Sequence, residues 1–203
     1  YQRRVRGIMT MIKDSIKVIL LGSSGVGKTS IIQRYVYDEF KDAQTASVCV
    51  ANTYKTIEFV HNDQLYNIKL NIWDTAGQEK YDSMTPMYYK TCRIGFVVYD
   101  ITNQQSFEKA KYWLQQISEN NQSCKLFLVG NKCDNENRMI STAQIQNLCK
   151  EFDCLDFEVS ALNGKNIEDM FLTATKTSLG QNIAKDLSRV TINKNKPKKE
   201  GCC

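Results

Sequence analysis

"IKVILLGSSGVGKTS", Ile16 to Ser30, decides the fold. Its apolar half, about Ile16 to Leu21, reads as a buried strand that stops at a glycine-rich turn. An amphipathic helical pattern, about Lys28 to Tyr37, follows at once. The turn fits GxxxxGK[ST], and a strand before it with a helix after it is the context that gives that spacing meaning. Gly22, Gly25 and Gly27 let the backbone around Ser23, Ser24 and Val26 curl, so that its N–H groups and the helix N-terminus point at phosphate oxygens. Lys28 then reaches the terminal phosphates, and Thr29, with Ser30 beside it, offers a hydroxyl to Mg²⁺. Gly22 to Ser30 is therefore a candidate nucleoside triphosphate site, with base and reaction still open.

Working outward, "YKTIEFV" and "QLYNIKLNIWD" alternate apolar and polar residues around His61-Asn62-Asp63, as a hairpin with a polar turn would. "IGFVVYD", "KLFLVGNKCD" and "DFEVSA" are three more short apolar strands. Helical patterns at about Ser106 to Asn120 and Thr142 to Phe152 separate them, and a last one runs from about Asn166 to Ala184. Strands alternating with helices predict an α/β fold of the P-loop NTPase type. Its sheet is six-stranded and mostly parallel, with one antiparallel edge strand and helices on both faces. The expected organisation is a basic, disordered N-terminal extension over 1–14, one domain over 15–184, and a flexible basic tail over 185–203.

Two further strand ends carry chemistry. In "WDTAGQE", Trp73 to Glu79, Asp74 sits where a carboxylate can reach the metal through water, Gly77 can give its N–H to a terminal phosphate, and Gln78 can orient an attacking water. In "NKCD", Asn131 to Asp134, the Asp134 carboxylate can accept from both N–H groups on the guanine edge, a pattern adenine does not offer. Asn131 and Lys132 would brace this loop against the phosphate loop and cover one face of the base. "SAL", Ser160 to Leu162, completes that edge, with the Ala161 N–H available to the base oxygen. Both loops fall at the carboxyl ends of strands predicted to be parallel, where ligands bind in such sheets.

In this order, GSSGVGKTS, WDTAGQE, NKCD and SAL resemble the motifs of a Ras-superfamily small GTPase, over roughly Ser15 to Ala184. "KLNIWDTAGQEKYDSMTPMYYK", "FVVYDIT" and the ending "GCC" are more narrowly similar to Rab signatures. The resemblance implies a switch that binds GTP and GDP with Mg²⁺, hydrolyses GTP slowly, and recruits effectors to membranes in vesicle traffic. It also implies an exchange factor, a GTPase-activating protein, a prenylation escort and a GDP-dissociation inhibitor as partners. It puts Phe40 against the guanine edge, and geranylgeranyl groups on Cys202 and Cys203 that hold the protein to the cytoplasmic face of intracellular membranes.

The chain departs from the family where the second strand is approached. Rab proteins usually have Thr-Ile-Gly there, followed by two residues and Phe. The same spacing, nineteen residues after Lys28, falls on Ser47, with Cys49 in place of the glycine and Asn52 in place of the aromatic. Ser47 keeps the hydroxyl and carbonyl that would hold Mg²⁺ and the terminal phosphate but lacks the methyl that stiffens threonine. Leu162 stands where SAK has lysine, and Lys90-Thr91-Cys92 where Arg-Gly-Ala is usual. A rival reading from another class is a nucleotide-locked binding module whose altered loop no longer supports hydrolysis. A P-loop ATP kinase is a third, but it leaves Asp134 without a role.

Composition agrees with a folded domain, at 42% hydrophobic and 24% charged residues. The net charge of +5 is concentrated at the two ends. Lys194, Lys196, Lys198 and Lys199 suit an anionic lipid surface, and nucleic acid is not expected as a partner. The chain contains no run of about 18 apolar residues of the kind that crosses a membrane. Eight cysteines with no CxxC pair and a single histidine, His61, argue against zinc and for a reducing, cytosolic setting.

Overall fold

The computed structural model describes residues 11–40, 51–61, 64–75 and 89–180. Its strands are β1 (Met11–Leu21), β2 (Ala51–His61), β3 (Gln64–Asp74), β4 (Ile94–Asp100), β5 (Lys125–Asn131) and β6 (Leu155–Glu158). The helices among the described residues are α1 (Lys28–Tyr37), α2 (Gln104–Asn120), α3 (Thr142–Phe152) and α4 (Ile167–Ser178). The six strands form one sheet in the order β2-β3-β1-β4-β5-β6. Only β2 and β3 pair antiparallel, Ala51 opposite Asp74 through His61 opposite Gln64, and the other neighbours are parallel. This is the α/β sheet expected, with its antiparallel strand at one edge.

The period of two in β1 divides the core into two layers. Ile16, Val18 and Leu20 join α1 and α4 on one face, through Ile31, Tyr35, Met170 and Phe171. Ile19 and Leu21 join α2 and α3 on the other, through Phe107, Leu114, Ile145 and Leu148. Both faces of a parallel sheet are thus closed to water, which is why β4 is buried at every position.

The boundaries that differ most from the sequence reading are those of β1 and α4. β1 starts at Met11 rather than near Ile16, so Met11–Asp14, assigned from the sequence to the N-terminal extension, is strand. Pairing causes this: the long hairpin gives β3 eleven residues, and Met11–Asp14 lies in register with Leu65–Ile68. Arg93 holds the added piece by donating to Asp14 Oδ2 at 2.5 Å. α4 ends at Ser178, and positions 181–184 lie outside the described residues.

The helices begin in different ways. The N-terminus of α2 is capped by Asn103, whose side chain accepts from Ser106 N, and that of α3 by a capping box between Ser141 and Gln144. α1 follows Gly27, φ 96°, with no side-chain cap.

Candidate nucleotide site

The carboxyl ends of β1, β3, β5 and β6 converge, because parallel strands in adjacent register deliver their last residues to one edge. β1 ends at Leu21, and the glycine turn follows directly. Gly22, φ 145°, passes so close to β4 that a Cβ would lie 2.1 Å from the Val98 carbonyl oxygen. At Gly27 a Cβ would meet Asn131 Nδ2 at 2.3 Å. Any side chain at either place would push the loop off its support. Val26 between them is buried, and Ser24 and Gly25 are exposed at the tip.

Lys28 is the buried cation of this turn. Its Nζ donates to Gly22 O at 2.8 Å and to Ser23 O at 2.9 Å, which folds the loop back over the ammonium group. One residue on, Thr29 Oγ1 donates to Asp74 Oδ2 at 2.6 Å, joining the start of α1 to the end of β3. Ser30 is half-buried in the same helical turn. Thr75, not singled out in the sequence, donates its hydroxyl to Leu20 O at 2.6 Å and so fixes the strand end that carries Asp74.

Asp74 has unused capacity. Its Oδ1 is buried with no hydrogen-bond partner, one of two such side-chain atoms among the described residues. Burial raises the carboxyl pKa, opposed by the Thr29 hydrogen bond and the charge of Lys28. A buried carboxylate with a free oxygen is costly unless something polar or cationic completes it. An all-oxygen set of carboxylate and hydroxyl suits a hard divalent cation that keeps much of its water, so these residues fit Mg²⁺. Ser47, the third expected metal residue, lies outside the described residues, as do Gly77 and Gln78.

At the other end, Asn131 joins three motifs with one side chain. Its Nδ2 donates to Val26 O at 2.8 Å, and its Oδ1 accepts from Ala161 N at 3.2 Å. The expected brace between the guanine loop and the phosphate loop is therefore present, carried by Asn131. Lys132 does not share it. With φ 66° its side chain turns to Asp100, Nζ to Oδ2 at 2.5 Å, because that carboxylate lies beside it at the end of β4. The Ala161 N–H, read from the sequence as free for a base oxygen, is directed to Asn131. Asp134 Oδ1 accepts from the Ser160 hydroxyl, which leaves the second carboxylate oxygen for a ligand. The Leu162 side chain is half exposed, and Phe40 is half-buried against the first core layer. Cys202 and Cys203 lie outside the described residues.

A mostly parallel sheet with a glycine turn between β1 and α1 defines a P-loop NTPase fold. Comparison with known proteins narrows this. The sequence model of the Ras family matches residues 17–179. The chain is 41% identical over 167 residues to the GTP-binding protein YPT53 of Saccharomyces cerevisiae, covering 78% of this chain and 74% of that protein. It is 38% identical to the Ras-related protein RABF2a of Arabidopsis thaliana, covering 79% of each. It is 37% identical to the Ras-related protein Rab-10 of Diplobatis ommata, covering 87% of each. The chain belongs to the Ras family and is a Rab-type small GTPase: it binds GTP and GDP, hydrolyses GTP and acts in vesicle trafficking. Regulators and effectors of the Rab kind, and work at intracellular membranes, go with that membership.

Proposed function

We propose that the two ends of this site divide the work of a GTP/GDP switch. The observation that carries the proposal is the double contact of Asn131, which links the guanine loop to the phosphate loop. Phosphate oxygens take the backbone N–H groups of Gly22 to Ser30 and the Lys28 ammonium. Thr29, Asp74 and Ser47 are the residues that would hold Mg²⁺. When bound, the cation neutralises charge on the terminal phosphates. Asp134 reads guanine with its open carboxylate oxygen, Ala161 and Leu162 supply the backbone beside the base, and Phe40 covers its edge.

Gln78 orients the attacking water, and Gly77 gives its N–H to the terminal phosphate. The chain's own motifs supply no arginine to the transition state, so unassisted hydrolysis runs on the order of 10⁻⁴ to 10⁻³ per second. A GTPase-activating protein contributes the missing cation, an exchange factor reloads GTP, and effectors bind the GTP form. A prenylation escort delivers the chain for geranylgeranylation at Cys202 and Cys203, and a GDP-dissociation inhibitor returns it to the cytosol. Two lipid chains are needed because each buried CH₂ contributes only ~0.8 kcal/mol and one chain alone binds marginally.

Competition for a fluorescent GDP analogue tests the base assignment. GDP displaces it at far lower concentration than ADP; equal displacement contradicts it. Replacing Cys202 and Cys203 by serine in cells tests the tail. The variant binds nucleotide normally and moves to the cytosol, and continued membrane residence would reject lipid anchoring.

A further inference from the structure

Arg34, in the last turn of α1, lies outside all four motifs, yet its guanidinium reaches two chain segments far apart in sequence. Nε donates to Ala161 O at 3.0 Å and Nη2 to Leu162 O at 2.7 Å. Nη1 donates to Asp38 O at 3.1 Å and to Asp38 Oδ1 at 3.2 Å. Asp38 is the C-cap of α1, φ 56°, and its N–H bonds back to Arg34 O at 3.0 Å. The chain then leads to Phe40 two residues later. One planar fork thus ties the backbone of the loop after β6 to the turn that carries Phe40.

The Ser160 to Leu162 loop is held from two sides. Asn131 takes the Ala161 N–H, and Arg34 takes the carbonyls of Ala161 and Leu162. The Leu162 side chain, 50% exposed, does little to anchor the loop. The Arg34 side chain is only 19% exposed; its charge-assisted hydrogen bond to the Ala161 carbonyl is partly buried, while the one to Leu162 lies at the surface. The Asp38 carboxylate is 81% exposed, and its ion pair is the weak part of the arrangement.

We propose that Arg34 is a positioning residue for nucleotide retention, acting through the Ala161–Leu162 backbone and the Asp38–Phe40 turn to hold the guanine pocket closed. This rests on the assignment of the base to Asp134 and Ser160–Leu162, which the GDP-against-ADP competition tests separately. Its own test is the GDP dissociation rate of the full-length protein, in Mg²⁺ and after chelation with EDTA. R34A removes all four contacts and raises the rate about tenfold. R34K keeps a cation at the helix end but replaces the fork with one ammonium, and raises it about fivefold. D38A, which removes only the exposed ion pair, changes it by less than about twofold.

Because the effect originates at the base, the R34A and R34K ratios to wild type are the same with Mg²⁺ and with EDTA. Single-turnover hydrolysis by the GTP-loaded variants stays within about twofold of wild type. R34K releasing GDP at the wild-type rate would reduce Arg34 to a helix cap and overturn the proposal. A ratio that vanishes in EDTA would also overturn it, by placing the effect at the phosphates. R34K also serves as the measurement should R34A fail to fold.

Discussion

The base end and the phosphate end of this site are finished to different degrees. At the base end each placed polar group already has a protein partner: Asn131 has Val26 and Ala161, Asp134 has Ser160, Lys132 has Asp100, and Arg34 has two carbonyls. At the phosphate end Asp74 Oδ1 is buried without a partner, and α1 starts with no side-chain cap. A pocket that must recognise one base gains from being rigid before the base arrives, since little ordering is left to be done on binding. An end that must distinguish two phosphate states needs groups completed only by the ligand and its cation. On the function proposed, the difference makes the base end the anchor and the phosphate end the sensor.

The largest test of this division is D134A. Loss of a carboxylate that accepts from the guanine edge lowers GDP affinity about 10³-fold, measured by displacement of a fluorescent analogue, without improving ADP. K28A attacks the other end and costs about 10²-fold in GDP affinity, because a buried charge-assisted donor to phosphate is gone. G27A strikes the contact between the ends. Its Cβ would collide with Asn131 Nδ2 in a left-handed backbone, so a loss of about 2 kcal/mol is expected, seen as a drop of about 4–8 °C in Tm.

The smallest effect concerns the Asp100–Lys132 pair behind the guanine loop. Burial pushes the Asp100 carboxyl up, but bonds from Lys132 and Thr102 outweigh it and hold the pKa below the ordinary 3.8. A depressed carboxylate contributes stability above its unfolded pKa and loses it as pH falls through the folded value. The urea midpoints of wild type and D100N therefore differ at pH 7 and converge as pH drops below 3.8. Lys132 is 41% exposed, which keeps the pair's own share under about 1 kcal/mol.

The sheet and both ends of the site were legible in the sequence to the extent that one local pattern encoded them. Gly22 to Ser30 could be read because strand, turn and helix are contiguous, and Asp74, Asn131 and Asp134 because each closes an apolar run. Arg34 and Thr75 were not legible, since their partners Ala161, Leu162 and Leu20 are backbone carbonyls brought near only by the packed sheet. The same holds for Lys132, whose choice of Asp100 depends on β4 lying beside β5. The early start of β1 was hidden because Met11–Asp14 owes its strand form to register with β3 and to Arg93.

The central claim is that this chain is a hydrolysing switch whose phosphate end works with Gln78, and single-turnover hydrolysis of bound GTP in Mg²⁺ tests it most directly. Wild type is expected to turn over on the order of 10⁻⁴ to 10⁻³ per second, faster with an activating-protein extract, with Gln78→Leu slower by about tenfold or more. Wild type and Gln78→Leu equally inert, with the extract present, would contradict the account.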